Sequence, residues 1–204
     1  MKTISILIFL MIILISCQPT LVKDATTATP QVISGFQQSL LVEINLARSN
    51  PAAYAESRLK TDMLDSSDNG SYLYLKQLTP RSSLIFNNAL NISASAYAAY
   101  LAENNLMGHD LNGTPLKRAI TVGFTGSSIG ENIAASTGDS YNSVTDPNTA
   151  AIYFVRLMII DAGVADLGHR LTMMNPNYKT IGIGYSRNPV STYINYNVQD
   201  FGYE

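Results

Sequence analysis

The hydrophobic pattern changes period near the C-terminus, and that change restricts the fold more than any other feature of the chain. KTIGIGYSR and STYINYNVQDFG alternate apolar and polar residues, with Asn188 and Pro189 supplying turn residues between them. Such a pair reads as a β-hairpin. Upstream, the apolar residues recur at helical spacing instead. Phe36, Leu40, Ile44 and Ala47 fall at i, i+4, i+8 and i+11, one buried stripe of a helix. A second helix is expected from about Asn88 to Asn105, with Leu90, Ala94, Tyr97, Ala98 and Leu101 on one face, and its many alanines imply close packing against another layer. Three further helix starts carry a capping side chain followed by proline: Asn50–Pro51, Thr114–Pro115 and Asp146–Pro147. Gly123 terminates the second of these, and the third runs to about Ile160. Ile129 to Ser136 is a short apolar segment that suits another strand. Helices first and a terminal hairpin last give an α+β domain, with helices packed on an antiparallel sheet.

A chain of 204 residues holds one domain with a substantial core. Its formal charge of −2 comes without any basic cluster, which excludes nucleic acid as the main partner, since phosphate neutralisation needs gathered Lys and Arg. Tyr193 and Tyr196 are expected on opposite faces of the last strand, one in the core and one available to a ligand wall.

The N-terminus, MKTISILIFLMIILISC, has one lysine and then an apolar run from Ile4 to Ile15 broken only by Ser5. The run is too short for a comfortable bilayer span and reads as the apolar region of a secretory signal peptide over residues 1–16. LISC resembles a bacterial lipobox, in which the cysteine becomes the lipid-modified N-terminus. Cys17 is the only cysteine in the sequence, so an internal disulfide is excluded although export is expected. Two or three acyl chains on Cys17 would anchor the protein to a membrane, whereas one would be marginal. Residues 17–32, rich in Thr, Pro and Ala, read as a flexible tether, and 33–204 as the domain.

The chain has only two histidines, His109 in NLMGHDLNG and His169 in DLGHRLTMMNP. From the residues alone they either stabilise loops or converge on one site. Glu131, between a glycine and an apolar segment, is a structural anchor or a cleft acid. Arg170 is expected to be a structural donor to a carboxylate or backbone carbonyl, and Asn132 to satisfy backbone groups. No HExxH spacing is present, and no Gly-x-Ser-x-Gly elbow surrounds Ser127 and Ser128, which excludes the usual serine-hydrolase arrangement.

Four segments in order resemble the CAP superfamily, or SCP domain, of cysteine-rich secretory, antigen 5 and pathogenesis-related 1 proteins. LLVEINLARSNPAAYAE is similar to its first helix. GHDLNGTPLKRAITVGFTGSSIGENIAAS is similar to the first-histidine segment and Gly-Glu-Asn motif, GVADLGHRLTMMNPNYKTIGIGYS to the bacterial second-histidine signature, and YNVQDFG to the closing strand. The resemblance implies an α-β-α sandwich with a central, mainly antiparallel sheet. It also implies a cleft lined by two histidines and two acids. By position these are His109, Glu131 and His169, with Asp161 as the second acid and Asp166 as its alternative. The chain departs from animal and plant members in lacking their disulfides, and it has no tryptophan.

Two imidazoles and two carboxylates suit a divalent metal such as zinc, with His109 and His169 as ligands and the acids orienting the rings. The expectation is therefore an exported, lipid-anchored protein at the cell envelope, or an extracellular one, whose cleft binds a metal ion or a small or lipid ligand. The alternative is a metal-assisted peptidase or esterase, or general acid–base catalysis with Glu131 as base, at the same cleft.

Overall fold

The computed structural model describes residues 34–60, 70–137 and 146–203. The signal peptide and tether expected from the sequence, with Cys17, lie outside the described residues. Among those described, no helix is long and apolar enough to cross a membrane.

Helix α1 (Gly35–Ser49) opens with a capping box. The Ser34 hydroxyl accepts from the Gln37 amide, and the Gln37 side chain accepts from the Ser34 amide. Asn50 then caps α2 (Pro51–Tyr54), which continues into a π-helical turn over Ala55–Leu59. α3 (Ser71–Gln77) and β1 (Ile85–Phe86) follow, then α4 (Asn88–Asn104) and α5 (Pro115–Thr121). Next come β2 (Ser128–Ser136), α6 (Pro147–Ile160), α7 (Gly168–Met173), β3 (Thr180–Arg187) and β4 (Asn195–Tyr203). Thr114 and Asp146 each accept an amide of the first turn, as their sequence context implies.

The sheet runs in the order β1-β3-β4-β2. β4 is antiparallel to both β2 and β3, and short β1 is parallel to β3. β4 is buried along nearly its whole length because helices cover both faces. Its Phe201 joins Ile181 and Ile183 in a core with Phe36, Leu40, Ile44 and Phe154, from α1 and α6. Its Tyr196 and Val198 face the other way, onto Ala94, Tyr97, Ala98 and Leu101 of α4. The result is a helix–sheet–helix sandwich.

The alanines of α4 matter because of the glycines beneath them. A Cβ on Gly182 would come within 2.0 Å of the Leu90 carbonyl carbon, and one on Gly184 within 2.0 Å of the Ala94 carbonyl oxygen. The helix backbone therefore rests on the strand with no side chain between. Gly184→Ala is expected to destabilise the protein by about 1–3 kcal/mol through overpacking. Urea unfolding measures it, and an unchanged midpoint would mean that α4 can back away at no cost.

Arg48, at the end of α1, is fully buried. Its guanidinium donates to the carbonyls of Ser82 (3.1 Å), Met173 (2.5 Å), Asn175 (3.0 Å) and Tyr178 (3.3 Å), tying the segment after α7 and the approach to β1 to α1. Burial lowers its pKa to about 10, with Arg81 adding to the effect.

One expectation from the alternating pattern fails. Tyr193 precedes β4, in a turn where Ser191 donates to the Asn188 carbonyl and Asn188 to that of Ile194. The two-residue period does not extend through a turn, so Tyr193 and Tyr196 do not take opposite faces of a strand. Their rings instead pack edge to face, with centroids 6.2 Å apart.

Candidate functional site

Edge strand β2 organises the candidate residues. Successive side chains of a strand point to opposite faces, so Glu131 turns toward the α4–α5 side and Asn132 toward the α7 side. Each leads to one histidine.

On the first side, α4 ends at Asn105, left-handed at φ 55°, and the chain turns into the loop that carries His109. The loop is pinned from below: the Tyr97 hydroxyl donates to the Gly108 carbonyl and accepts from the Leu111 amide. The Nδ1 of His109 lies 2.9 Å from Glu131 Oε1. The other carboxylate oxygen of Glu131 receives Arg118 of α5. Arg118 also donates to the carbonyls of His109, at 2.8 Å, and Gly113, and it stacks 3.4 Å over the Tyr97 ring. The Glu131 side chain is only 1% exposed and that of His109 51%. The hydrogen bond to Glu131 is the main reason that the pKa of His109 is raised above its ordinary value, with burial opposing it.

On the second side, Asp161 ends α6 in the left-handed region at φ 56°. That conformation turns its carboxylate back over the start of α7, where the first amides have no helical partner. Asp161 Oδ2 accepts from the amides of His169 (3.0 Å) and Arg170 (3.2 Å), and Oδ1 lies 2.7 Å from His169 Nδ1. Asp166 accepts instead from the Gly168 amide, at 3.2 Å. Between the two acids, the one in contact with His169 is Asp161. Asn132 donates to the His169 carbonyl at 3.0 Å, which fastens α7 to β2. Arg170 donates to the carbonyls of Ile159 (2.5 Å) and Ile160 (2.9 Å), a backbone role at the end of α6.

Both imidazoles thus hold a carboxylate through Nδ1. In the neutral tautomer this leaves Nε2 as an acceptor, and no protein group among the described residues occupies it. That is the orientation a metal-binding histidine takes, with an acid fixing the ring from behind. Among the described residues, however, no three His, Cys, Asp or Glu side chains gather as a metal cluster. Each imidazole therefore presents one acceptor nitrogen, and among the described residues the donor set does not fit a closed four-ligand cage. A pocket of about 200 Å³ lies beside His169, lined by Met107, Ile133, Ala135, Leu157 and Val164. Met107 comes from the loop that carries His109, so the pocket adjoins both histidine segments.

Arg118 is the site residue that sequence reasoning passed over. Its signal was available: a basic residue in the last turn of a short, doubly marked helix, between the His109 segment and Glu131.

A sandwich with a histidine–acid pair on each side of one edge strand defines a class, and comparison with known proteins identifies it. The sequence model of the CAP family, described as the cysteine-rich secretory protein family, matches residues 44–201. The chain belongs to this family. Comparison with curated proteins returned no match. Among solved structures, the chain is similar to BmVAL-1, at 17% identity and TM-score 0.52, covering 88% of this chain and 80% of that one. It is also similar to an outer surface protein of Borrelia burgdorferi, at 23% identity and TM-score 0.45, covering 70% and 92%. An extracellular SCP-domain protein of Bacillus anthracis gives 17% identity and TM-score 0.46 over 71% of this chain, which spans 40% of the length of that protein.

Proposed function

We propose that this CAP domain is exported, held at the cell envelope through an acylated Cys17, and that it acts by binding. In this reading the region of His109 and His169 takes a divalent metal such as zinc, or a small or lipid ligand. The observation that supports it is the pair of imidazoles whose Nδ1 atoms are each tied to a buried carboxylate, leaving two Nε2 acceptors without protein partners among the described residues. When bound, a zinc ion would supply Lewis acidity and an anchor for an anionic or carbonyl group. The protein residues supply the rest. Glu131 and Asp161 fix the ring planes, Arg118 keeps Glu131 in place, and the apolar wall beside His169 excludes water from whatever lies there.

The same geometry favours binding over the hydrolase reading. A general base needs a carboxylate free to take a proton, and Glu131 is buried and already engaged by Arg118 and His109.

Two measurements test the proposal. Zinc titrated calorimetrically into the chain is expected to bind, with affinity falling more than about tenfold in both His109→Ala and His169→Ala. Binding that survives the double substitution rejects the site. Independently, Cys17→Ser is expected to move the protein from the membrane to the soluble fraction and to abolish the acyl mass increment. An unchanged distribution rejects the anchor and leaves the site untouched.

A further inference from the structure

β4 turns Tyr196, Val198 and Asp200 toward the face that α4 covers. Val198 suits that layer. Asp200 places an ionisable carboxyl in it at 0% exposure. In the register of the sheet Asp200 stands directly opposite Glu131, and side chains so opposed begin about 4.5–5.5 Å apart at Cβ. The groups around it come from three elements. β2 contributes Glu131, α4 the neutral Ser93, and α5 Arg118. Arg118 is committed elsewhere, to Glu131, the His109 and Gly113 carbonyls and the Tyr97 ring. Among the described residues neither carboxyl oxygen of Asp200 makes a hydrogen bond of good geometry, and the buried Ser93 hydroxyl beside it makes none either.

Two ionised carboxylates can only accept hydrogen bonds. Facing each other in this layer, Glu131 and Asp200 would place two negative charges beside one arginine, with the neutral Ser93 hydroxyl able to donate to Asp200 but no hydrogen shared between the two carboxylates. One proton removes both problems. Glu131 already serves Arg118 and His109 as the anion, and its carboxylate has lone pairs to spare for a third donor.

We propose that Asp200 is a neutral, protonated carboxyl in the folded protein, that it donates its hydrogen to Glu131 while accepting from Ser93, and that it is the positioning residue behind the Glu131–His109 pair. Its state follows from the surroundings. Burial, followed by the charge on Glu131, raises the Asp200 pKa well above the usual carboxylate range. The assignment does not depend on what the site binds.

The test is infrared spectroscopy of the full chain at neutral pH, with isotope-labelled aspartate to identify the band. A carbonyl stretch characteristic of a protonated aspartic acid is expected in the wild-type protein and absent from Asp200→Asn. A purely structural, ionised Asp200 would give no such band, and its absence from the folded wild-type chain overturns the proposal even if the variant fails to fold. Thermal unfolding gives the second arm. A carboxyl that holds its proton more tightly when folded stabilises most below its unfolded pKa, and that stabilisation is lost as pH rises. Asparagine keeps a donor there and has no proton to retain. Asp200→Asn should therefore melt above wild type near about pH 7, with the gap closing toward about pH 4. A wild-type protein more stable than the variant at neutral pH, by a margin that narrows as pH falls, speaks against a neutral Asp200.

Discussion

Arg48→Met is expected to cost about 3–5 kcal/mol of stability, the range for loss of a buried charged group and its partners. Methionine fills much of the volume and donates nothing. The carbonyls of Ser82, Met173, Asn175 and Tyr178 would then lose the guanidinium that serves them all. Because α1, the end of α7 and the approach to β3 meet at this side chain, the loss should be global, as a lowered denaturant midpoint with an unchanged slope. Arg48→Lys should recover only part of it, since an ammonium cannot fork across several carbonyls. An Arg48→Met variant within 1 kcal/mol of wild type, where exposed substitutions usually fall, would show that water replaces the guanidinium.

Glu131 substitutions should be comparably costly and also report on the site. Glu131→Ala leaves Arg118 nearly buried beside the Tyr97 ring without its anion, a loss of about 3–5 kcal/mol. Glu131→Gln keeps the shape and isolates the electrostatics. The raised pKa of His109 owes most to the Glu131 hydrogen bond, so the glutamine variant should bring the His109 midpoint down toward about 6.5. The sign for stability follows from linkage. A histidine whose folded pKa is raised contributes stabilisation that is fully present below its unfolded value of about 6.5 and is lost as pH rises through the higher folded value. Glu131→Gln should flatten that dependence. Solvent screens the half-exposed imidazole, so the slope is modest. An NMR titration of the two histidines measures both midpoints, and an unmoved His109 resonance would remove Glu131 as the cause.

What could be read in the sequence were the features with a local cause. The caps at Asn50, Thr114 and Asp146, the helical stripe of α1 and the alternating runs of β3 and β4 depend on neighbours a few residues away. α7 was not legible. Its starting turn follows Leu167, left-handed at φ 54°, and its first amides are satisfied by Asp161, seven residues before the helix begins. β1 was missed because it is two residues long and is held by its parallel partner β3. Resemblance to the family supplied His109, Glu131 and His169 as candidates. It could not supply Arg118, whose role arises only when α5 is folded against β2. Asp200 was hidden for a related reason: in an alternating strand, a lone acid reads as solvent-facing until the second helical layer is in place.

The alternation of β2 has a mechanical corollary. Glu131 and Asn132 are adjacent in the chain yet fasten His109 and α7 on opposite sides of the sheet. Sliding β2 by one position against β4 would exchange their directions and undo both attachments together. A single-residue insertion or deletion near Gly130 should therefore disable the two histidine environments at once. Substitutions can tune each separately, but a change in length cannot.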